Sequence, residues 1–168
     1  MRLFLIGFMG SGKSHWGRLL AQQIGDPFFD LDHVIVESEQ KTVARIFAEQ
    51  GEEYFRIKEK ETLEKLVEEN PAFIISCGGG TPCFFNNISF MKRYGTVVWL
   101  NTDLNVLVQR LLKEKDTRPL LRDIPEEEMK SFIMKKLLGR KQYYQQAHLI
   151  VNEDALTVDT FMKILTDA

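Results

Sequence analysis

Residues 7 to 14 read Gly-Phe-Met-Gly-Ser-Gly-Lys-Ser, a complete match to G-x-x-x-x-G-K-[ST]. The glycines let the backbone wrap round a phosphate with no Cβ in the way, so successive N–H groups and the positive end of the following helix converge on the anion. Lys13 then reaches the β- and γ-oxygens, and Ser14 offers its hydroxyl to Mg²⁺. Such a loop works only between a strand and a helix. Both are expected here, because Arg2 to Ile6 is an apolar run and His15 to Ile24 has helical periodicity.

The rest of the chain sets limits on what surrounds that loop. Its 168 residues suit one domain with a substantial core. A formal net charge of −2 gives no general pull toward nucleic acid or anionic membrane, so basic residues in a cleft would serve a small anionic ligand. No apolar run approaches the roughly 20 residues of a membrane span. Leu3 to Ile6 is too short for a signal-peptide core, and a cytoplasmic protein is expected. Cys77 and Cys83 have no Cys/His cluster around them at metal-ligand spacing, and Cys77 reads as a free buried thiol.

Beyond the first helix, Gly25-Asp26-Pro27 is a stop, and Phe28 to Asp32 reads as a short strand. Period-2 alternation puts Asp30 and Asp32 on one face of its carboxyl end, beside the phosphate loop in a parallel sheet. Residues 33 to 69 are polar and helical. Thr42 caps one helix, Gly51 breaks it, and Glu52 opens a longer one with Phe55, Leu63, Leu66 and Val67 on its apolar side. Arg56 lies early in that helix, against the usual placement of cations; it has either an outside partner or an ion pair with Glu52, Glu53 or Glu59.

Phe73 to Cys77 reads as a fully buried strand ending in Gly78-Gly79-Gly80, which is either a site of close approach by another molecule or a tight exit turn. No Asp ends this strand, which leaves Asp30 and Asp32 as the acids available to a metal. A helical link from Asn86 to Tyr94 leads to the strand Thr96 to Leu100, and Asp103 caps a helix that carries Arg110. The basic stretch 113 to 124, with Arg118 and Pro119, reads as a mobile lid or a solvated loop. A helix from Glu126 to about Gln146 carries Arg140; a strand at His148 to Val151 and an amphipathic segment from Val158 to Leu165 complete the chain. His15, His33 and His148 are scattered and read as surface or satisfied positions. Five strands separated by helices make a parallel α/β sandwich with right-handed crossovers.

An N-K-x-D run, the guanine-recognition element of GTPases, is absent, and the chain is too short for most motor cores. A small-molecule kinase remains, with a nucleotide-binding regulatory module as the alternative from another class. Lys13, Asp32 and Arg118 together favour turnover.

In order along almost the whole chain, Gly7 to Ser14, Phe29-Asp-Leu-Asp32, Gly51-Glu-Glu-Tyr-Phe-Arg56, Ser76-Cys-Gly-Gly-Gly80, Arg118-Pro-Leu-Leu121 and Arg140 followed by Tyr143-Tyr144 resemble the shikimate kinases. The resemblance implies a P-loop kinase fold like that of nucleoside monophosphate kinases. It also implies a single domain over 1–168, with a substrate-binding helical region at 33–69 and a lid at 113–124. The implied reaction is ATP-dependent phosphorylation of the 3-hydroxyl of shikimate in aromatic biosynthesis. Nothing in the sequence suggests an obligate dimer, and a monomer with no nucleic-acid or membrane partner is expected.

Position by position, the resemblance makes Gly10, Ser11, Gly12, Lys13, Ser14 and His15 the nucleotide-binding loop. Ser14 and, through water, Asp30 would hold Mg²⁺, with Ser76 nearby. Asp32 would bind the substrate hydroxyls and orient or deprotonate the nucleophile. Arg56 and Arg140 would clamp the substrate carboxylate, with the Gly78, Gly79 and Gly80 backbone completing the pocket and Phe47 and Phe55 as its apolar wall. Arg118 would close onto the transferring phosphate and Arg110 would lie over the adenine. The triple glycine and R-P-L-L favour this family over one resembling gluconate kinase. His15 departs from the Thr or Ser usual after the loop, Lys115 and Arg122 have no secure counterpart, and Asn152-Glu-Asp154 matches loosely.

Overall fold

The apolar runs become five parallel strands in the computed structural model, which describes residues 1–168. They are β1 (Arg2–Ile6), β2 (Phe28–Asp30), β3 (Phe73–Ser76), β4 (Thr96–Asn101) and β5 (Leu149–Asn152), in the order β2-β3-β1-β4-β5. Strand β1 lies at the centre, with Leu5 in register with Ser76 on one side and Val98 on the other. Both faces of β1 are covered, and Leu3, Phe4, Leu5 and Ile6 have no exposure, which is why its sequence is continuously apolar.

Alternation along the strands divides the core between the two faces of the sheet. Phe4, Ile6, Phe73, Ile75, Val97 and Trp99 point to one face; Leu3, Leu5, Ile74, Val98, Leu100 and Val151 point to the other. The first face is covered by α2 (Leu31–Glu39), α3 (Val43–Glu69), α4 (Asn87–Tyr94) and the end of α6 (Met129–Tyr144), through Ile35, Phe55, Leu63, Met91 and Tyr144. The second is covered by α1 (Lys13–Ile24) and α7 (Val158–Asp167), through Trp16, Leu20 and Phe161. A third cluster joins Phe8 to Leu107 and Leu111 of α5 (Leu104–Glu114), Met129 and Ile133 of α6, and Leu121. Leu121 anchors the segment 113–124 by a fully buried side chain, while its neighbour Leu120 is 63% exposed.

Local signals explain most helix ends. Gly25 takes a left-handed φ of 82° and returns its N–H to Ala21 O, Thr42 caps α3 by accepting from the Arg45 N–H, and Asp103 caps α5. Gly51 interrupts α3 at φ 87°, ψ 166°, the break expected there.

Two expectations need correction. The strand expected over Phe28 to Asp32 stops at Asp30, because the Asp30 carboxylate accepts the His33 N–H at 3.2 Å and so caps α2. Asp32 therefore belongs to the first turn of a helix and not to a strand face. The helix expected from Glu126 begins with a 3₁₀ turn at Glu126–Glu128, and α6 proper starts at Met129. Both cysteines are free, with Cys77 buried against Met91. No helix is long and apolar enough to cross a membrane.

Candidate active site

The carboxyl ends of β1, β2 and β3 open onto one cleft of about 500 Å³, lined by the loop between β1 and α1, Asp30, Asp32, Ser76, Gly78, Gly79, Arg110, Arg118 and Glu153. Gly10 and Gly12 hold left-handed φ values of 79° and 93°, and a Cβ on Gly7 would stand 2.8 Å from Leu100 O. Lys13 folds along the loop and donates from Nζ to Gly7 O at 2.8 Å and Phe8 O at 2.9 Å. Burial pulls its pKa down to about 8, opposed by the nearby Asp32 carboxylate. Ser11 is buried, with a hydroxyl that has no partner, and exposed His15 rests its ring edge-on against Trp16 at the rim.

Three oxygen-bearing side chains meet behind the loop. Ser14 Oγ donates to Asp30 Oδ2 at 2.7 Å and lies 3.3 Å from Ser76 Oγ, so α1, β2 and β3 each supply one group. No set of three or more His, Cys, Asp or Glu residues converges anywhere in the chain. A hydroxyl and a single carboxylate beside a phosphate loop suit a hard cation that keeps most of its coordination for water and phosphate oxygens.

A second cavity of about 400 Å³ adjoins this cleft, and Phe47, Phe55, Arg56, Gly80 and Arg140 are among its walls. Met9, Asp32, Gly78, Gly79 and Arg118 line both cavities, so Asp32 and Arg118 sit where the two meet. The pKa of Asp32 is raised to about 6, first by burial and then by the Glu59 and Asp30 carboxylates, with Lys13 and Arg56 opposing. Its Oδ1 is buried without a hydrogen-bond partner. An unpartnered acceptor with that affinity for a proton can take one from a hydroxyl.

The glycine triplet makes room for charged side chains of the chain itself. A Cβ on Gly80 would stand 2.6 Å from Arg56 Nη2, one on Gly79 2.8 Å from Arg140 Nη1, and one on Gly78 3.0 Å from Asp32 Oδ1. The close approach expected at this turn is thus made first by the protein's own arginines. For Arg56 the ion-pair expectation is met, and the side chain also faces the second cavity. It lines the cavity, and it pairs with Glu59 at 3.0 Å and Glu52 at 3.4 Å, with Phe84 stacked 4.2 Å from its guanidinium carbon. Arg140 has no ion pair and lies over the Phe8 ring at 5.5 Å. Phe47 and Phe55 stack on each other with centroids 4.9 Å apart.

The remaining arginines are held by acids. Arg118 Nε contacts Glu114 Oε2 at 2.6 Å, and Arg110 bonds to Gly10 O and to Glu153. Sequence reading missed the supporting residues. Glu59 is fully buried and accepts from Thr81 Oγ1 at 2.7 Å, and Tyr144 donates to Gly79 O. An i, i+3 spacing from Arg56 brings Glu59 into consideration only as a surface partner; its burial depends on Thr81, which is 22 residues away. Every residue expected in the site lies in one of the two cavities, except Ser11, which is buried in the loop itself.

The match to known proteins covers nearly the whole chain. The family model for shikimate kinase matches residues 9–168. The shikimate kinase of Bacteroides fragilis is 44% identical over 93% of this chain and 87% of its own. The crystal structure of shikimate kinase from Bacteroides thetaiotaomicron superposes with a TM-score of 0.91 at 38% identity, covering 99% of this chain and 97% of that one. That of the Acinetobacter baumannii enzyme in complex with shikimate gives 0.85 at 32%, covering 98% and 90%. With a family model spanning almost its full length and relatives well above 30% identity, the chain belongs to the shikimate kinase family.

Proposed function

We propose that this chain transfers the γ-phosphoryl group of Mg·ATP to the 3-hydroxyl of shikimate. The observation that carries the reading is the shared wall of the two cavities. A phosphate-binding cleft and an arginine-walled acceptor pocket meet at Asp32 and Arg118. Phosphoryl transfer needs a donor and an acceptor held in line with charge neutralised between them, and that junction is where such a geometry fits.

The donor side is the loop from Gly7 to Ser14, with Lys13 on the β- and γ-oxygens, the Gly10 to His15 backbone around the phosphates and Arg110 against the adenine. Ser14 and, through water, Asp30 would hold Mg²⁺ with Ser76 beside them, and the ion would screen charge on the β- and γ-oxygens. Arg56, Arg140 and the Gly78 to Gly80 backbone would clamp the acceptor carboxylate, against Phe47 and Phe55. The 3-hydroxyl oxygen forms a bond to the γ-phosphorus, the bond to the β,γ-bridging oxygen breaks, and the hydroxyl proton passes to Asp32 Oδ1. Arg118, carried by a lid over 113–124 and released from Glu114, would meet the charge on the transferring group. The helical region 33–69 completes a single domain over 1–168. The enzyme works as a cytoplasmic monomer on this reading, since one chain supplies every proposed group.

Purified protein with Mg·ATP should release ADP only when shikimate is added, read by a coupled ADP assay. Release with gluconate but not shikimate, or tight ATP binding with no acceptor-dependent turnover, would overturn the reading.

A further inference from the structure

Glu153 follows β5 at the back of the phosphate loop, in the stretch where the sequence matches its family only loosely, and its side chain is 12% exposed. It collects contacts from three other elements. Its Oε1 accepts from Arg110 Nη2 at 3.0 Å and from Trp16 Nε1 of α1 at 3.4 Å; its Oε2 lies 2.8 Å from Arg110 Nη1 and 3.2 Å from Thr102 Oγ1, just past β4. The two partners in turn reach the loop backbone. Arg110 Nη1 donates to Gly10 O at 2.9 Å, and Thr102 Oγ1 lies 3.2 Å from Ser11 O, with one proton to share between that carbonyl and Glu153.

These contacts have directional consequences. In a planar trans peptide the C=O and the following N–H point opposite ways, so a Ser11 carbonyl held toward Thr102 turns the Gly12 N–H away from it. The forked pair with Glu153 and the bond to Gly10 O use the edges of the Arg110 guanidinium and leave its flat faces free for a purine ring. A Cβ on Gly12 would stand 3.1 Å from Glu153 Oε1, so the carboxylate also occupies space that only glycine leaves open.

We infer that Glu153 is a positioning residue for the nucleotide: it sets the phosphate loop and the plane of Arg110 before ATP arrives. The inference rests on the reading that the cleft at Gly7 to Ser14 holds ATP. It assigns Glu153 no contact with the reacting atoms, and it places the effect on the donor side alone.

Two variants test it, Glu153→Ala and Glu153→Gln. Glu153→Ala should raise the Mg·ADP dissociation constant and the ATP KM about ten-fold, with the shikimate KM changed less than about two-fold. Glu153→Gln keeps an acceptor oxygen but not the charge-assisted fork, and should fall between, at about three-fold. The indole N–H resonance of Trp16 should move in both variants. Removing Arg110 from the Glu153→Ala protein should cost less than removing it from the parent, because the two side chains act together.

An unchanged Mg·ADP dissociation constant overturns the inference. So does a parallel rise of both KM values, which marks general loosening, or tighter nucleotide binding, which would mean that Glu153 only holds Arg110 away from phosphate. If the parent protein binds Mg·ADP but does not turn over shikimate, the proposed reaction falls, and the dissociation constants still decide the role of Glu153.

Discussion

The donor and acceptor halves of the site share a wall but are built by opposite means. The donor loop is eight consecutive residues whose backbone would do much of the binding, and its cation, Lys13, is already satisfied by the carbonyls of Gly7 and Phe8. The acceptor pocket is gathered from α2, α3, the glycine turn and α6, and its charges are unevenly compensated. Arg56 is buried against Glu59, Arg140 has no acid partner, and Asp32 Oδ1 has no partner at all. A backbone cradle depends on local conformation, whereas the pocket depends on which charges the fold leaves unmatched.

The largest effect should come from the group at the junction. Asp32→Asn keeps the shape but removes the proton acceptor, and kcat should fall about 10³-fold while Mg·ADP binding holds. Ionising the parent carboxylate works against burial and against Glu59 and Asp30, so Asn at this position should also make the free protein more resistant to urea at pH 7. A variant that lost nucleotide affinity along with kcat would break the division between the two halves.

Next come the two arginines of the proposed clamp, which the structure separates by their partners. Arg56→Ala and Arg140→Ala should each raise the shikimate KM by one to two orders of magnitude, about 1.4 kcal/mol per ten-fold. Only the first leaves a buried acid uncompensated. Removing Arg56 strands Glu59, which has no exposure, and should cost about 3 kcal/mol in unfolding free energy. Removing Arg140, which breaks no ion pair, should change stability by less than about 1 kcal/mol. Chemical denaturation of the two variants measures this directly, and equal losses would show that Arg56 and Glu59 do not act as a buried pair.

Legibility in the sequence follows the same division. The phosphate loop, the Gly51 break and the caps at Thr42 and Asp103 are local, fixed by residues within a few positions of one another. The strand signal of Phe28 and Phe29 runs two residues past the end of β2 because it competes with the capping of α2 by Asp30, and the cap wins. Asp32 still reaches the pocket from the first helical turn, so the site survives the error. Glu59 is marked in sequence only as one of three acids within reach of Arg56, and Glu153 is not marked at all. Their roles as supports come from Thr81 in one case and from Thr102, Arg110 and Trp16 in the other, distant residues that only the folded chain brings together.

The smallest and most graded effect is on pH dependence, because each half contributes one limb. Asp32 must be ionised to accept a proton, so kcat/KM should rise with pH through about 6; Lys13 must be charged to hold phosphate, so it should fall above about 8. Bound phosphate favours the charged lysine, which moves the falling limb of kcat to higher pH than that of kcat/KM. Stability of the free protein follows from the same shifts. The folded pKa of Asp32 lies above its ordinary 3.8, so its contribution is present below about pH 4 and is lost as pH rises through 6. The folded pKa of Lys13 lies below its ordinary 10.5, so its contribution is lost as pH falls through 8 and is regained toward 10.5. The empty site should therefore weaken the fold most between about pH 6 and 8, where it is poised for catalysis. In Asp32→Asn the rise through 6 should vanish from the residual activity, while the falling limb remains and moves to lower pH, because Lys13 loses the carboxylate that opposes its desolvation. If the acid limb persisted in that variant, the proton acceptor would have to be another group at the junction.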